Sequence, residues 1–128
     1  MKTTFTYLVC ALAILAAQNV HATVTCGEQD QKRITYNLQR IHQNVSFVTA
    51  FANEPKLAQG VRTSLLDIQG LLGLTVMRLN VCQGDKTELV ARINAATQEI
   101  ASAQNEEQIA SALQKAAAVT FLIQKELQ

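Results

Sequence analysis

The chain has 128 residues, 48% of them hydrophobic, and Lys+Arg 11 against Asp+Glu 10 leave a net charge of +1. So even a balance supplies no basic face to release counterions from nucleic acid and no polybasic membrane anchor. With no Trp, four Phe and two Tyr, stacking platforms for bases or sugars are not suggested either.

At the amino terminus Lys2 precedes an apolar run from Tyr7 to Ala17, and Val20-His21-Ala22 then offers small residues at the spacing a signal peptidase reads. This pattern predicts a signal peptide over residues 1–22, cleaved after Ala22. Cys10 lies inside the apolar run and leaves with it as a small hydrophobe. The run is short for a bilayer span, and no later run is both long enough and free of charge. The remaining residues 23–128 are expected to form a single helical-bundle domain, secreted or, in a bacterium, periplasmic. A core of that size is modest. Two cysteines survive, Cys26 and Cys82, and an even count in a small secreted domain reads as a disulfide. Closing that loop stabilises by roughly 4 kcal/mol in the chain-entropy account.

From Glu28 to Ala52 the residues Ile34, Leu38, Ile41, Val45, Val48 and Ala52 recur at spacings of three and four, the seam of an amphipathic helix. Phe47 and Phe51 widen it near the carboxyl end, while Gln31, Gln39, Gln43 and Asn44 lie off it. Asn53-Glu54-Pro55 is a stop and restart, Asn53 as a cap and Pro55 in a first helical turn, where its missing amide hydrogen had no partner. A second helix over Lys56 to Val81 then carries Leu57, Val61, Leu65, Ile68, Leu72, Val76 and Leu79. Both stretches run for about 25 residues, or about 38 Å, so an antiparallel hairpin brings Cys26 level with Cys82.

The later half of the second helix holds a surplus. Leu66, Leu71, Leu74, Met77 and Val81 lie away from its seam, and only Asp67 and Arg78 carry charge between Ser64 and Cys82. A helix apolar nearly all round is normally buried all round. Gly60, Gly70 and Gly73 each weaken it by about 1 kcal/mol relative to alanine, so they are expected to serve close backbone approach, a kink or room for something else. Central packing or a self-association face is favoured over a ligand cavity.

Gln83-Gly84-Asp85-Lys86 reads as a turn, with Asp85 or Thr87 able to cap the next helix. Leu89, Ile93, Ala96, Ile100 and Ala103 form a third seam. Asn105 as cap with Gln108 in the capping-box position starts a fourth, through Ile109, Leu113, Ala116, Thr120, Ile123 and Leu127. Its register is displaced by one residue from the third, which favours a break near Ser102 to Asn105 over one bent helix. The fold class is therefore all-α: an antiparallel up-down four-helix bundle whose first hairpin is stapled by one disulfide.

Chemistry is sparsely supported. His42 is the sole histidine after residue 22 and has no carboxylate or cysteine at metal-site spacing. A haem ligand pair with Met77 has nothing around it in support, and no HExxH, paired ExxH or CxxCH is present. Glu106 and Glu107 point about 100° apart on a helix and suit a helix amino terminus; Asp67 is too far from Arg78 for a direct pair. No phosphate-cradling loop or nucleophile elbow occurs. The expectation is a protein without catalytic residues, cofactor or metal. Asn44-Val45-Ser46 matches an N-glycosylation acceptor if the source is eukaryotic.

Two functional expectations compete. In one, a small secreted carrier uses Phe47, Phe51, Leu66, Leu71, Leu74, Met77 and Phe121 to line an apolar cavity or groove for a lipid-like molecule. In the other, the same surplus is covered by a second copy or another polypeptide, as in a secreted effector, an inhibitor, a venom or reproductive-fluid component, or a periplasmic chaperone-like protein. No motif is specific enough to name a family.

Overall fold

The structure is a computed structural model that describes residues 24–127; the expected signal peptide, its cleavage site and Cys10 lie outside these residues. Four helices follow one another: α1 (Glu28–Phe51), α2 (Ala58–Asn80) after a single 3-10 turn (Pro55–Leu57), α3 (Thr87–Ser102) and α4 (Glu106–Glu126). Each packs on its neighbour in sequence, and α4 closes the ring against α1. This is the antiparallel up-down bundle that short turns between seamed helices dictate. No described helix is long and apolar enough to cross a membrane.

The seams meet on the bundle axis. Ile34, Leu38, Ile41 and Val48 of α1, Ile68, Leu72 and Leu79 of α2, Ile93, Ala96 and Ile100 of α3, and Leu113, Ala116 and Ile123 of α4 are all buried. Small side chains at Ala96, Ala112 and Ala116 let α3 and α4 approach closely. Thr75 is fully buried on α2, and its hydroxyl donates to the Leu71 carbonyl at 2.8 Å, which satisfies a polar group that burial would otherwise penalise.

One end of the bundle is pinned covalently and by backbone. Cys26 and Cys82 are disulfide-bonded with their Cα atoms 4.5 Å apart, so the matched helix lengths do bring the two cysteines level. Beside them Thr25 and Gln83 exchange both backbone hydrogen bonds at 2.8 Å, and Val24 is buried against the core. Gly84 makes the following turn at φ 110°, a left-handed conformation that side-chain-bearing residues rarely adopt. Lys86 then reaches back, its Nζ donating to the Cys82 and Asn80 carbonyls, groups the end of α2 leaves unpaired.

At the opposite end the connection departs from expectation. Asn53 does not cap a helix. With its amide nitrogen turned toward α4, it donates to both carboxylate oxygens of Glu106 at 3.0 Å, tying the α1–α2 turn to the start of α4. Leu57 belongs to the 3-10 turn and is exposed, because the tighter turn shifts it off the α2 seam. Between α3 and α4 the chain breaks as the register predicts. The Asn105 side chain accepts from the Gln108 amide at 2.8 Å, and Gln108 Oε1 accepts from the Gln104 amide at 2.8 Å, a capping box displaced by one residue.

Candidate functional site

The surplus on α2 faces outward. Leu66, Gly70, Gly73, Leu74, Met77 and Val81 recur at three- and four-residue steps, so they fall on one stripe, and that stripe lies on the side of α2 away from Ile68, Leu72 and Leu79. Leu66 is 62% exposed, Leu74 50%, Met77 65% and Val81 65%. Together the four side chains leave on the order of 400 Å² of apolar surface uncovered, within the ~300–600 Å² reached by the largest patch on a typical monomer. Of the readings open for this surplus, packing inside the chain is thus set aside for Leu66, Leu74, Met77 and Val81. In a ring of four helices each helix touches two neighbours and the axis, which leaves the outer quarter of α2 with nothing to cover it.

The glycines divide accordingly. A Cβ on Gly60 would come 3.4 Å from the Phe47 ring, at the near edge of van der Waals contact, so Gly60 lies against Phe47. Gly70 and Gly73 have nothing within 4 Å of where a Cβ would sit. No contact within the described residues requires them, and they notch the exposed stripe. Two charges border it: Asp67, exposed and without a hydrogen bond or ion pair among the described residues, and Arg78, whose Nη1 lies 3.5 Å from Asp30 Oδ1. Beside Leu74 a shallow cleft of about 370 Å³ runs between α1 and α2, lined by Lys32, Arg33, Tyr36, Asn37, Leu74 and Arg78.

The residues singled out in the sequence do not converge on one chamber. Leu71, 4% exposed, belongs to the core. Phe47 is half-buried, and Phe51 leans on it with ring centroids 5.1 Å apart near the α1–α2 turn. Phe121, 69% exposed, stands on α4. Only Leu66, Leu74 and Met77 share a surface. A groove of about 420 Å³ opens elsewhere, between the end of α1 and α4, with Val45, Val48, Ala52, Ile109 and Leu113 among its walls and Asn53 and Glu106 at its rim. None of the singled-out aromatic or leucine residues lines it. Its walls include seam residues of both helices at that end of the bundle, a feature no single-helix pattern announces.

Titratable groups are spread on the surface. His42 is exposed, and among the described residues no group of three or more His, Cys, Asp and Glu side chains is placed to hold a metal ion. Asp85 is held below the usual carboxylate range by the backbone N–H of Thr87 and by its hydroxyl, a local turn at the start of α3. Asn44 lies inside α1, half-buried, its amide donating to the Arg40 carbonyl at 2.9 Å. No protein-family model matches the chain, and no curated protein or solved structure shows significant similarity to it.

Proposed function

We propose that the protein is a small, secreted, non-enzymatic interaction module that docks a polypeptide on the outward face of α2. The observation that carries this is the continuous Leu66–Leu74–Met77–Val81 stripe, more than half exposed at three of its four side chains, on a helix whose opposite face already supplies a complete seam. The outward face of a surface helix is ordinarily polar, and an apolar patch of this size on a monomer is often functional. The disulfide is consistent with an oxidising compartment, and the small area of the stripe suits a reversible contact.

The test is site-specific photo-crosslinking. A photoreactive residue at Met77, with one at Arg92 on the outside of α3 as control, is introduced into the full chain and irradiated in the medium or compartment into which it is delivered. Adducts from position 77 that disappear on Leu74→Gln support docking at this face. Adducts equal at positions 77 and 92, or none from either, remove it.

The groove between α1 and α4 favours a second reading, an apolar small-molecule carrier. Its volume lies in the ~300–1,000 Å³ range of ligand pockets, and its walls are mostly aliphatic. Native mass spectrometry after incubation with a medium-chain fatty acid tests it: a bound complex lost on Ile109→Gln supports a carrier, and a protein that stays empty excludes one at this groove.

A further inference from the structure

Resting on the docking role proposed for this stripe, we infer that its occupant is a second copy of the same chain, bound two-fold symmetrically with the α2 helices antiparallel. Asp67 and Arg78 are eleven residues apart, about 16 Å along a helix at 1.5 Å per residue, so they cannot pair within one α2. They nevertheless flank the same edge of the stripe, because eleven residues complete close to three turns. A two-fold axis perpendicular to the helix keeps that edge on one side while reversing direction. Placed level with residues 72 and 73, it sets Asp67 of each copy against Arg78 of the other, twice.

The same axis makes the apolar stripe complementary to itself. Met77 of one copy falls between Leu66 and Gly70 of the other, and Leu74 falls over the notch between Gly70 and Gly73. These are the large-into-small contacts that close helix packing needs, at the two glycines that nothing else within the described residues explains. Arg78 can serve both its own Asp30, 3.5 Å away, and the second copy, since a guanidinium carries five N–H donors. An isologous contact of this kind closes on itself and does not propagate. Two such faces with their polar borders bury about 1,000 Å², the lower bound for a specific interface, so a weak, concentration-dependent dimer is expected.

Sedimentation of the full chain, disulfide intact, from about 5 µM to about 1 mM tests this. The expected result is reversible dimerisation that weakens at least tenfold in Asp67→Arg, where two arginines face each other. Mixing the Asp67→Arg chain with an Arg78→Asp chain restores it, because both contacts are then of opposite charge only in the mixed dimer. Gly70→Gln serves as the second variant. It meets open space in its own chain, so it folds, yet it fills the site that Met77 of the second copy occupies and abolishes the dimer. A chain monomeric up to about 1 mM overturns the proposal, as does a dimer that survives both Asp67→Arg and Gly70→Gln. A monomer whose position-77 probe still captures a different polypeptide overturns the second copy while leaving the docking face standing; a monomer with no adduct from position 77 removes both.

Discussion

Replacing Gly70 and Gly73 by alanine should stabilise the isolated subunit. Both lie inside α2, both are exposed, and a Cβ at either meets no atom within 4 Å, so there is no steric penalty to set against the gain in helix propensity. That gain is about 1 kcal/mol per glycine in an exposed helix interior, arising mainly from the smaller conformational freedom the unfolded chain then has to lose. For a domain of this size it corresponds to a rise of roughly 3–6 °C in Tm per substitution. Gly60→Ala is the internal control: there the new Cβ stands 3.4 Å from Phe47 Cζ, at the near edge of van der Waals contact, so the change acts on packing as well as on propensity and the gain differs from that at the two open positions. The assay is thermal unfolding by circular dichroism at about 5 µM, where weak self-association contributes little. If Gly70→Ala or Gly73→Ala instead lowers Tm by several degrees, these glycines serve packing within the subunit, and the stripe is not an open surface.

Other consequences follow from the same structure. Replacing Cys26 and Cys82 together by serine should cost roughly 4 kcal/mol in the chain-entropy account, read as a lower urea midpoint, with an equal loss on reducing the native protein. Ile68→Ala, at a fully buried position, should cost about 2–5 kcal/mol, whereas Leu66→Ala two residues away, 62% exposed, should stay within about 0.5 kcal/mol in the subunit; equal losses would place the core on the wrong side of α2. The depressed Asp85 carboxyl contributes stability that is present above its unfolded pKa and lost as pH falls through the folded value. Asp85→Asn should therefore leave stability unchanged near pH 2 and slightly lower it near neutrality, measured as Tm against pH.

Much of the fold was legible because helices announce themselves through period. The four seams, the break at Asn105 and the pairing of Cys26 with Cys82 each follow from three- and four-residue spacing or from matched lengths. α2 was less legible, since apolar residues lie on two of its faces and periodicity alone does not say which one turns inward. Leu71 looked like part of the surplus, yet it flanks the seam on the side that carries the buried Ser64 and Thr75; with a hydroxyl satisfied by its own helix, a polar residue marks no surface there. Val24, Thr25 and Gln83 gave no signal, because a single backbone bridge has no period. The groove between α1 and α4 was invisible for a related reason: its lining comes from two helices together and is written in neither pattern alone. The exposed stripe, by contrast, was on view as a glycine-bearing apolar surplus. What the structure added was its direction, and with it the separation of Gly60, which packs, from Gly70 and Gly73, which do not.

The proposed two-fold contact places a second copy of this chain on the outward face of α2. Amide chemical shifts of the isotopically labelled chain, recorded from about 20 µM to about 1 mM, test it residue by residue. Concentration-dependent changes are expected between Leu66 and Val81, largest at Gly70, Gly73 and Met77. Spectra that do not change with concentration, or changes centred on Val45, Ile109 and Leu113 in the groove between α1 and α4, would contradict it.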